Sequence, residues 1–398
     1  MTNLKAQIIL EKHTHVDRRA FLKAGLGTVA GAIVGQHTVP LIAGSTSNAL
    51  VPRNWTKGEN KAEHEAWLAQ ITEEPMAPEL PICDPHHHLW NWPDHFLHYL
   101  LEDLLRDAKG HNVVSTVFVE CSSSYRLEGP HEMRPVGETE FVEGIAAGCA
   151  ADSACPTAVA AGIVGHADLR LGDRVAPVLE AHLAASPERF RGIRHICAWH
   201  PSQEPPSDNM NPPEGLMRDS TFRKGLACLL KHGLSFDSWA YFTQLGEVAD
   251  LARAFPNLTI ICDHLGGVMG IGPYTGKRDE VLAQWKGGIK ELAACPNVFM
   301  KLGGLAMTLS GFGWHERAQP PGSRRLAEAT APYILFAIES FGVRRCMFES
   351  NFPVDKFSCS YRVLWNSFKR VVNDFSQDEK AHLFHDTAAK VYKIKRAQ

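Results

Sequence analysis

From residue 80 onward, short apolar runs alternate with longer stretches that have the period of an amphipathic helix. The runs that predict strands are residues 80–84, 113–121, 158–165, 190–197, 234–236, 258–262, 298–302 and 345–349. The helical stretches include residues 175–185, 222–232, 244–254, 281–294 and 332–341. Eight strands alternating with helices predict a parallel α/β sheet, most simply a closed (β/α)8 TIM barrel. An open doubly wound sheet is the alternative, although no Gly-x-Gly-x-x-Gly motif follows an early strand.

Three insertions rich in proline and glycine interrupt this alternation, each after a predicted strand. They span residues 201–215, 266–276 and 310–323. Segments that follow the strands of such a barrel lie at the rim where active sites form. We therefore expect the insertions to cover a site.

The first 49 residues predict an export signal rather than part of the fold. Residues 17–23 read Asp-Arg-Arg-Ala-Phe-Leu-Lys, similar to the bacterial twin-arginine motif, and a Gly-rich, weakly apolar run covers residues 24–43. That run is too polar for a comfortable membrane helix. We predict a periplasmic protein with no membrane span after removal of the signal. The alternative is a basic amphipathic helix of the fold.

Residues 50–78 are polar and contain prolines, which predicts a linker or an arm lying on the barrel. The barrel itself is expected to span residues 79–398. The composition of the 398 residues, 44% hydrophobic and 21% charged, is that of a globular protein with ample length for a large core.

Charge and cysteine content narrow the classes of function. A net charge of −3 gives no reason to expect nucleic acid or an anionic membrane surface as a partner. The ten cysteines include no Cys-x-x-Cys pair. We expect buried thiols rather than a disulfide framework. Five of the cysteines lie in predicted strands: Cys83, Cys121, Cys197, Cys262 and Cys346.

The first predicted strand ends in three consecutive histidines. Alternation along a strand places Ile82, Asp84, His86 and His88 on one face and turns His87 away. Two imidazoles on one face can converge on one metal ion or one substrate atom, because neutral histidine is a common metal ligand and titrates near neutral pH. The alternative is a surface cluster of histidines.

Polar residues at the carboxyl ends of barrel strands are the candidates for function. Each of them alone has a structural interpretation, such as a helix cap or a salt bridge. Their number at one rim favours a site. In chain order these ends supply Glu120, Ser122, His166, Asp168, Arg194, His195, His200, Asp237, Trp239, Asp263, His264, Lys301, Glu349 and Asn351.

The order of these motifs resembles the amidohydrolase superfamily over residues 79–395. The motifs are His-x-His after strand one, Gly-Ile-Arg-His at residues 192–195, Asp-His-Leu-Gly at strand six and Met-Phe-x-Ser-x-x-Pro at residues 347–353. Together they are similar to the amidohydrolase-related branch, which includes lactonases of pyrone dicarboxylates and of sugar acids. The resemblance implies a (β/α)8 barrel that hydrolyses a lactone or a similar ester-like bond.

The resemblance also implies roles for individual residues. His86 and His88 would form the first-strand pair, and His264 would be the sixth-strand histidine. Arg194 and His195 would lie near the substrate. Glu120 and Trp239, at two other strand ends, complete the set that we expect to contact substrate.

The chain departs from this family at strand eight. The family usually has an aspartate, acting as metal ligand or base, where this chain has Asn351, which accepts no proton at neutral pH. Glu349 stands where the family often has glycine and faces the same way as Asn351. Two hypotheses remain open: Glu349 supplies the missing carboxylate, or it pairs with a cation such as Lys301 inside the barrel.

The sequence thus predicts an exported barrel hydrolase, a lactonase that opens a small carboxylated or sugar-derived ring. His86, His88 and His264 would polarise the carbonyl, either directly or through one divalent metal such as zinc. Glu349, or a metal-bound water, would supply the nucleophile, and Arg194 would bind a substrate carboxylate through two contacts. Two alternatives are a metal-dependent non-oxidative decarboxylase and, given Asn351, a non-catalytic binder of small acids. The oligomeric state is not predicted.

Overall fold

The structure is a computed structural model that describes residues 61–93, 95, 97–202 and 212–394. The predicted signal segment, residues 1–49, lies outside the described residues. The first part of the predicted arm, residues 50–60, and most of the insertion at residues 201–215 also lie outside them.

Eight parallel strands form one sheet in the order of the chain. They are β1 Ile82–His87, β2 Val113–Val119, β3 Ala158–Gly165, β4 Phe190–Ile196, β5 Ser235–Trp239, β6 Ile260–Cys262, β7 Val298–Leu302 and β8 Cys346–Phe348. Backbone hydrogen bonds from Asn351 N to His86 O (2.9 Å) and from His88 N to Phe352 O (2.8 Å) join the first strand to the segment after the last. The sheet is therefore a nearly closed barrel, which confirms the predicted (β/α)8 architecture and not the doubly wound alternative.

The strands alternate with helices. The main helices are α1 Lys61–Leu68, α2 Leu101–Ala108, α3 Val136–Ala151, α4 Ala176–Ala185, α5 Ser220–Lys231, α6 Leu245–Ala254, α7 Arg278–Ala293, α8 Ser323–Phe341, α9 Tyr361–Val371, α10 Gln377–Ala381 and α11 Thr387–Val391. Among the described residues, the helices lack the combination of length and apolar surface that spanning a bilayer requires.

A small apolar cluster fills the barrel interior, separate from the larger core between the sheet and the helices. Its strand members are buried on both sides, as in other parallel sheets. Ala388 of α11 and Tyr392 just after it belong to this cluster, so these two residues close one end of the barrel. The strand residues of the cluster are Cys83, Val117, Val119, Val164, Ile261 and Met347.

The described part of the predicted arm lies on the barrel. His64 Nε2 on α1 lies 2.8 Å from Lys356 O, and Glu65 forms an ion pair with the Lys356 ammonium (2.8 Å). Trp67 donates its indole N–H to Arg317 O (2.9 Å). Helix α1 is therefore attached at both of these loops, which follow β8 and β7.

One disulfide bond joins Cys149 near the end of α3 to Cys155 in the following loop. The other eight cysteines are free and buried. The expectation of buried thiols therefore fails for this pair. Both residues lie outside the predicted strands, and the chain reversal after α3 brings their Cα atoms within 5.6 Å.

Candidate active site

The first strand contains one more residue than its neighbour at the position of Pro85. Asp84 pairs with Thr116 and His87 pairs with Phe118, so three steps along β1 match two along β2. A proline suits such a bulge because it has no N–H to donate to the ladder. The bulge changes which face the following side chains occupy.

This bulge corrects the prediction that Ile82 and Asp84 share a face of the first strand with His86 and His88. Cys83 belongs to the interior cluster, whereas Ile82 lies in the outer core and Asp84 accepts a hydrogen bond from Tyr361 on α9 (3.0 Å). Ile82 and Asp84 therefore do not share the face of the site histidines. A strict period of two cannot reveal a bulge, because the extra residue resets the alternation.

Glu349, directly after β8, joins histidines from two strands that are distant in sequence. Its Oε2 lies 2.9 Å from His86 Nδ1. Its Oε1 accepts hydrogen bonds from the backbone N (2.9 Å) and Nδ1 (2.7 Å) of His264. The ring centroids of the two histidines are 4.5 Å apart, and all three side chains are buried. One carboxylate thus orients two imidazoles.

Two glycines after β7 allow this close packing. A Cβ on Gly303 would lie 2.4 Å from Glu349 Cγ, and one on Gly304 would lie 2.5 Å from His264 Cβ. Gly304 also has a φ of +71°, which disfavours other residues. Larger side chains here would displace the carboxylate and the imidazole that it orients.

The environment of Glu349 does not suit a general base. Burial alone would raise its pKa, but the charges and hydrogen bonds of His264 and His86 outweigh burial and lower the pKa to about 2. Both of its oxygens also face imidazole nitrogens, which leaves them poorly placed to take a proton from water. The structure therefore places the carboxylate of Glu349 in an orienting position, and its partners are the two histidines and not Lys301, the cation named in one of the two hypotheses.

His88 is fixed by a different acceptor. Its Nδ1 lies 2.8 Å from Val119 O, its ring is 5.0 Å from that of His86, and it stacks on Trp90. Burial, followed by the charge of Arg194, lowers the pKa of His88 well below its usual value, so the ring is neutral at pH 7. We assign its proton to Nδ1, which leaves the Nε2 lone pair unused by Val119. His87 points away, with Nε2 2.8 Å from Thr116 Oγ1.

A buried lysine on β7 lies beside His86. Lys301 Nζ is 2.9 Å from Asp237 Oδ2, 2.9 Å from Asp263 Oδ1 and 3.1 Å from His86 Nδ1. The sequence places Lys301 and Asp263 among the polar strand-end candidates but assigns neither of them a catalytic, binding or metal role. A signal was present, because a lysine within Val-Phe-Met-Lys-Leu alternates inward together with Phe299 and must be paired there.

Arg194 and Glu120 form a buried ion pair at the same end of the barrel. Arg194 Nε donates to Glu120 Oε1 (2.8 Å), and Nη2 donates to the backbone O of Glu120. The remaining Nη1 lies 3.4 Å from His86 Nε2. All three guanidinium nitrogens thus have partners within the protein, so the predicted two-pronged contact with a substrate carboxylate does not match this geometry.

His195 lies on the outer face of β4, although its neighbour Arg194 points inward. Its Nδ1 accepts a hydrogen bond from Leu169 N (3.3 Å), and its ring packs edge-on against Phe222 of α5. Trp239, at the end of β5, contacts the site, with its ring centroid 4.8 Å from that of His264. The structure therefore brings Trp239, but not His195, to the site histidines.

Asn351 turns toward a carboxylate further along the chain. Its Nδ2 donates to Asp355 Oδ1 (3.1 Å), and its backbone has a φ of +54°, which asparagine tolerates. Burial raises the pKa of Asp355 well above its usual value. Asn351 contributes its backbone N–H to the bond with His86 O, while its side chain holds Asp355.

Three buried side chains form a candidate site for a divalent metal. His86, Asp263 and His264 each offer one ligand atom, and these atoms lie within 4.8 Å of one another. Two imidazoles and a carboxylate form a common ligand set for catalytic zinc. His88, which was expected in the metal set, is not part of this group, and Asp263 takes its place.

The buried charges around this group also fit an additional cation. Two fixed cations, Lys301 and Arg194, face an excess of carboxylates when the imidazoles are neutral. Uncompensated buried charges are costly, and a bound divalent ion would neutralise the excess. The carboxylates are those of Glu120, Asp237, Asp263 and Glu349.

Comparison with known proteins identifies the family. The sequence model for the family described as Amidohydrolase matches residues 83–394. The chain belongs to the amidohydrolase family. This confirms the membership that the strand-end motifs suggested.

Relatives of this amidohydrolase include lactonases. An uncharacterized protein, y4mH, from Sinorhizobium fredii is 34% identical over 79% of this chain and 99% of its own length. An L-fucono-1,5-lactonase from Burkholderia ambifaria is 29% identical over 62% of this chain and 74% of its own length. The predicted resemblance to lactonases is confirmed at this level of similarity.

A solved structure shares the fold. It is an amidohydrolase from Burkholderia multivorans with bound zinc, 22% identical, with a TM-score of 0.59 over 79% of this chain and 99% of that chain. At this identity the likeness concerns the barrel alone.

Proposed function

We propose that this amidohydrolase is a lactonase that opens a small lactone of a carboxylic or sugar acid at the carboxyl ends of the strands. One observation carries the proposal. The Nδ1 atoms of His88 and His264 are held by Val119 O and Glu349 Oε1, so each ring keeps its Nε2 lone pair for chemistry. A ring held in this way can accept and return a proton without moving, as we propose for His88, or bind a metal, as we propose for His264.

Lactone opening requires addition of water and transfer of one proton. Water adds to the carbonyl carbon, the ring C–O bond breaks, and the proton lost by water passes to the leaving alkoxide. The imidazole of His88, which is not in the proposed ligand set, accepts that proton at Nε2 and returns it. The charge that develops on the carbonyl oxygen is stabilised by the fixed guanidinium of Arg194, whose Nη1 lies beside His86.

A divalent ion, zinc or similar, would be held by His86, Asp263 and His264. When bound, it would polarise the carbonyl and lower the pKa of a water molecule. Support comes from the donor set and from the excess of buried negative charge. The fold relative solved with zinc is consistent with this choice of metal.

The substrate class is supported by the similarity to L-fucono-1,5-lactonase and by two aromatic rings. Trp90 stacks on His88 at 5.1 Å, and Trp239 packs edge-on against His264 at 4.8 Å. Indole rings of this kind suit the apolar face of a sugar-derived ring. We propose that these two rings, rather than His195, contact the substrate. Small molecules, not nucleic acid, are the proposed partners.

A panel of sugar-acid lactones, pyrone carboxylates and aromatic acids tests the proposed reaction. The protein is purified without added metal, its metal content is measured, and turnover is followed with and without a chelator. We expect the protein to hydrolyse a lactone, to lose this activity when a chelator removes the metal, and to regain it when zinc is added. Release of carbon dioxide from an aromatic acid would instead indicate a decarboxylase. Thermal stabilisation by ligands without any turnover would indicate a non-catalytic binder.

We also propose that the protein is exported to the periplasm by the twin-arginine route. The motif at residues 17–23 supports this, and the Cys149–Cys155 disulfide is typical of an oxidising compartment. Replacing Arg18 and Arg19 with lysine should leave the protein in the cytoplasm. A double variant that still fractionates with the periplasm would contradict the proposal.

A further inference from the structure

Lys301 is a completely buried cation to which the proposed reaction assigns no role. Its ammonium lies 2.9 Å from Asp237 Oδ2, 2.9 Å from Asp263 Oδ1 and 3.1 Å from His86 Nδ1. These are the distances of ammonium hydrogen bonds, and they are much longer than those of zinc to oxygen or nitrogen. Two carboxylate acceptors and the edge of the His86 ring thus surround a cation of the size of ammonium.

The neighbours of this ammonium come from two layers of the barrel. Asp237 also accepts a hydrogen bond from Tyr392 OH (2.6 Å), and the ammonium lies 5.5 Å from the centroid of the Tyr392 ring. Asp263 and His86 belong to the candidate metal group. Lys301 therefore connects the closed end of the barrel to the layer that carries the site.

We propose that Lys301 is a positioning residue, a tethered cation in an internal cation site formed by Asp237, Asp263 and His86. It neutralises two neighbouring carboxylates, so that Asp263 and His86 stay in place beside Glu349. An alkylammonium ion from solution should occupy the same site when the side chain is shortened. The activity part of this proposal rests on the proposed function, whereas the cation site itself does not.

Charge, rather than volume, distinguishes this proposal from a packing role. A methionine at position 301 would fill similar space without a charge, leaving Asp237 and Asp263 facing each other uncompensated. An alanine would leave a cavity lacking three carbons and the ammonium nitrogen. Propylammonium has the same atoms as the removed group, so it is the matched probe for Lys301→Ala.

The experiment compares Lys301→Ala, Lys301→Met and the native protein in propylammonium chloride, in sodium chloride at equal ionic strength, and in sodium chloride with propanol. Lys231→Ala, which removes an exposed lysine of α5, is the control. Melting temperature is measured without substrate, and kcat and KM are measured on the best lactone. In sodium chloride we expect both Lys301 variants to lose about a hundredfold in kcat.

Propylammonium should raise the kcat of Lys301→Ala at least about tenfold, and this increase should saturate with its concentration. It should also raise the melting temperature of this variant. It should change neither quantity in Lys301→Met, Lys231→Ala or the native protein. Equal effects of propylammonium and propanol, or a Lys301→Met enzyme as active as the native one, would overturn the proposal. Selective stabilisation of Lys301→Ala when the native protein hydrolyses no lactone would reject the proposed function but support the cation site.

Poor folding of the single variants is addressed by a second comparison. Lys301→Met combined with Asp237→Asn removes a cation and a carboxylate together. Because paired removal keeps the net charge of this buried group as it is in the native protein, the double variant should melt at a higher temperature than Lys301→Met alone. A double variant no more stable than the single variant would show that the carboxylates do not need this cation.

Discussion

Two pairs of buried histidines lie at the carboxyl ends of the strands and differ in their neighbours. His86 and His264 lie on either side of the carboxylate of Glu349. The rings of His166 and His195 lie 5.2 Å apart, at the ends of β3 and β4, and their Nδ1 atoms contact backbone groups. The same residue type therefore serves as an oriented pair in one region and as core packing in the other.

The difference teaches that position in the sequence is a poor guide to which strand-end histidine belongs to a site. His195 directly follows Arg194, which reaches His86, yet the alternation of β4 turns it toward Phe222. Burial, followed by the charge of His166, lowers the pKa of His195 to about 3. A histidine in this environment stays neutral and structural at neutral pH.

The largest expected effect is a direct test of the two pairs. His86→Ala or His264→Ala should reduce kcat/KM by at least about a hundredfold, because loss of an oriented donor or ligand costs roughly 3–4 kcal/mol at the transition state. His195→Ala should reduce kcat/KM far less, although it loses packing. Steady-state kinetics on the best lactone, with melting curves as a folding control, measure this. Equal losses in both regions would remove the distinction.

Glu349→Gln sharpens the comparison by keeping the shape and removing the charge. We expect a loss of about 10–100-fold in activity or metal affinity, which is typical when a group that orients a ligand is changed. The matched control is Asp168→Asn, which weakens a carboxylate that pairs with Arg170 near His195. Metal content and kcat are the measurements. A Glu349→Gln enzyme with native kcat and metal content would show that the two imidazoles do not depend on this carboxylate for their orientation.

Asn351→Asp tests the residue at which the chain departs from its family. The new carboxylate would face Asp355 Oδ1, now 3.1 Å from Asn351 Nδ2, in a buried setting. We expect a loss of about 1–3 kcal/mol in the free energy of unfolding. Because the pair would retain a proton in the folded state, the loss should be greatest at high pH and should shrink as the pH falls. Denaturant unfolding at pH 8 and pH 5 measures this loss of stability, with Asn351→Ser as the control. An Asn351→Asp protein that is more stable and more active than the native one would contradict the prediction.

The last test concerns pH and the structural pair. The folded-state pKa of His195, about 3, lies below its usual value of 6.5. Between these values the unfolded chain binds more protons, so stability falls as the pH is lowered through this window, by at most about 1.4 kcal/mol per pH unit for this group. His195→Gln should flatten the dependence of the melting temperature on pH below 6.5. An unchanged slope would show that His195 is protonated in the fold.

The fold was accessible from the sequence because periodicity is a local property. The predicted strands at residues 158–165 and 298–302 have the observed bounds, and the others differ by a few residues at their ends. The bulge at Pro85 was not accessible, because only pairing with Thr116 and Phe118 reveals the extra residue. The Cys149–Cys155 bond likewise depends on how the chain reverses after α3.

The site was accessible in part. The histidines of β1 and β6 lie in recognisable motifs, and the structure brings His86 and His264 together. The partners of Glu349 and Lys301 depend on which inward side chains of β6, β7 and β8 are level with one another in the barrel. That level is set by the shear of the closed sheet, which no local pattern encodes.

The junction between β1 and the segment after β8 has a consequence for when the protein becomes active. Two site histidines form these backbone hydrogen bonds: His86 O accepts from Asn351 N, and His88 N donates to Phe352 O. The partners lie more than 260 positions later in the chain. Contacts between such distant residues form late, because closing a long loop must precede them. A ribosome-bound chain that lacks its last segment therefore cannot assemble the site, and catalysis should begin only after the final strand has been released and docked.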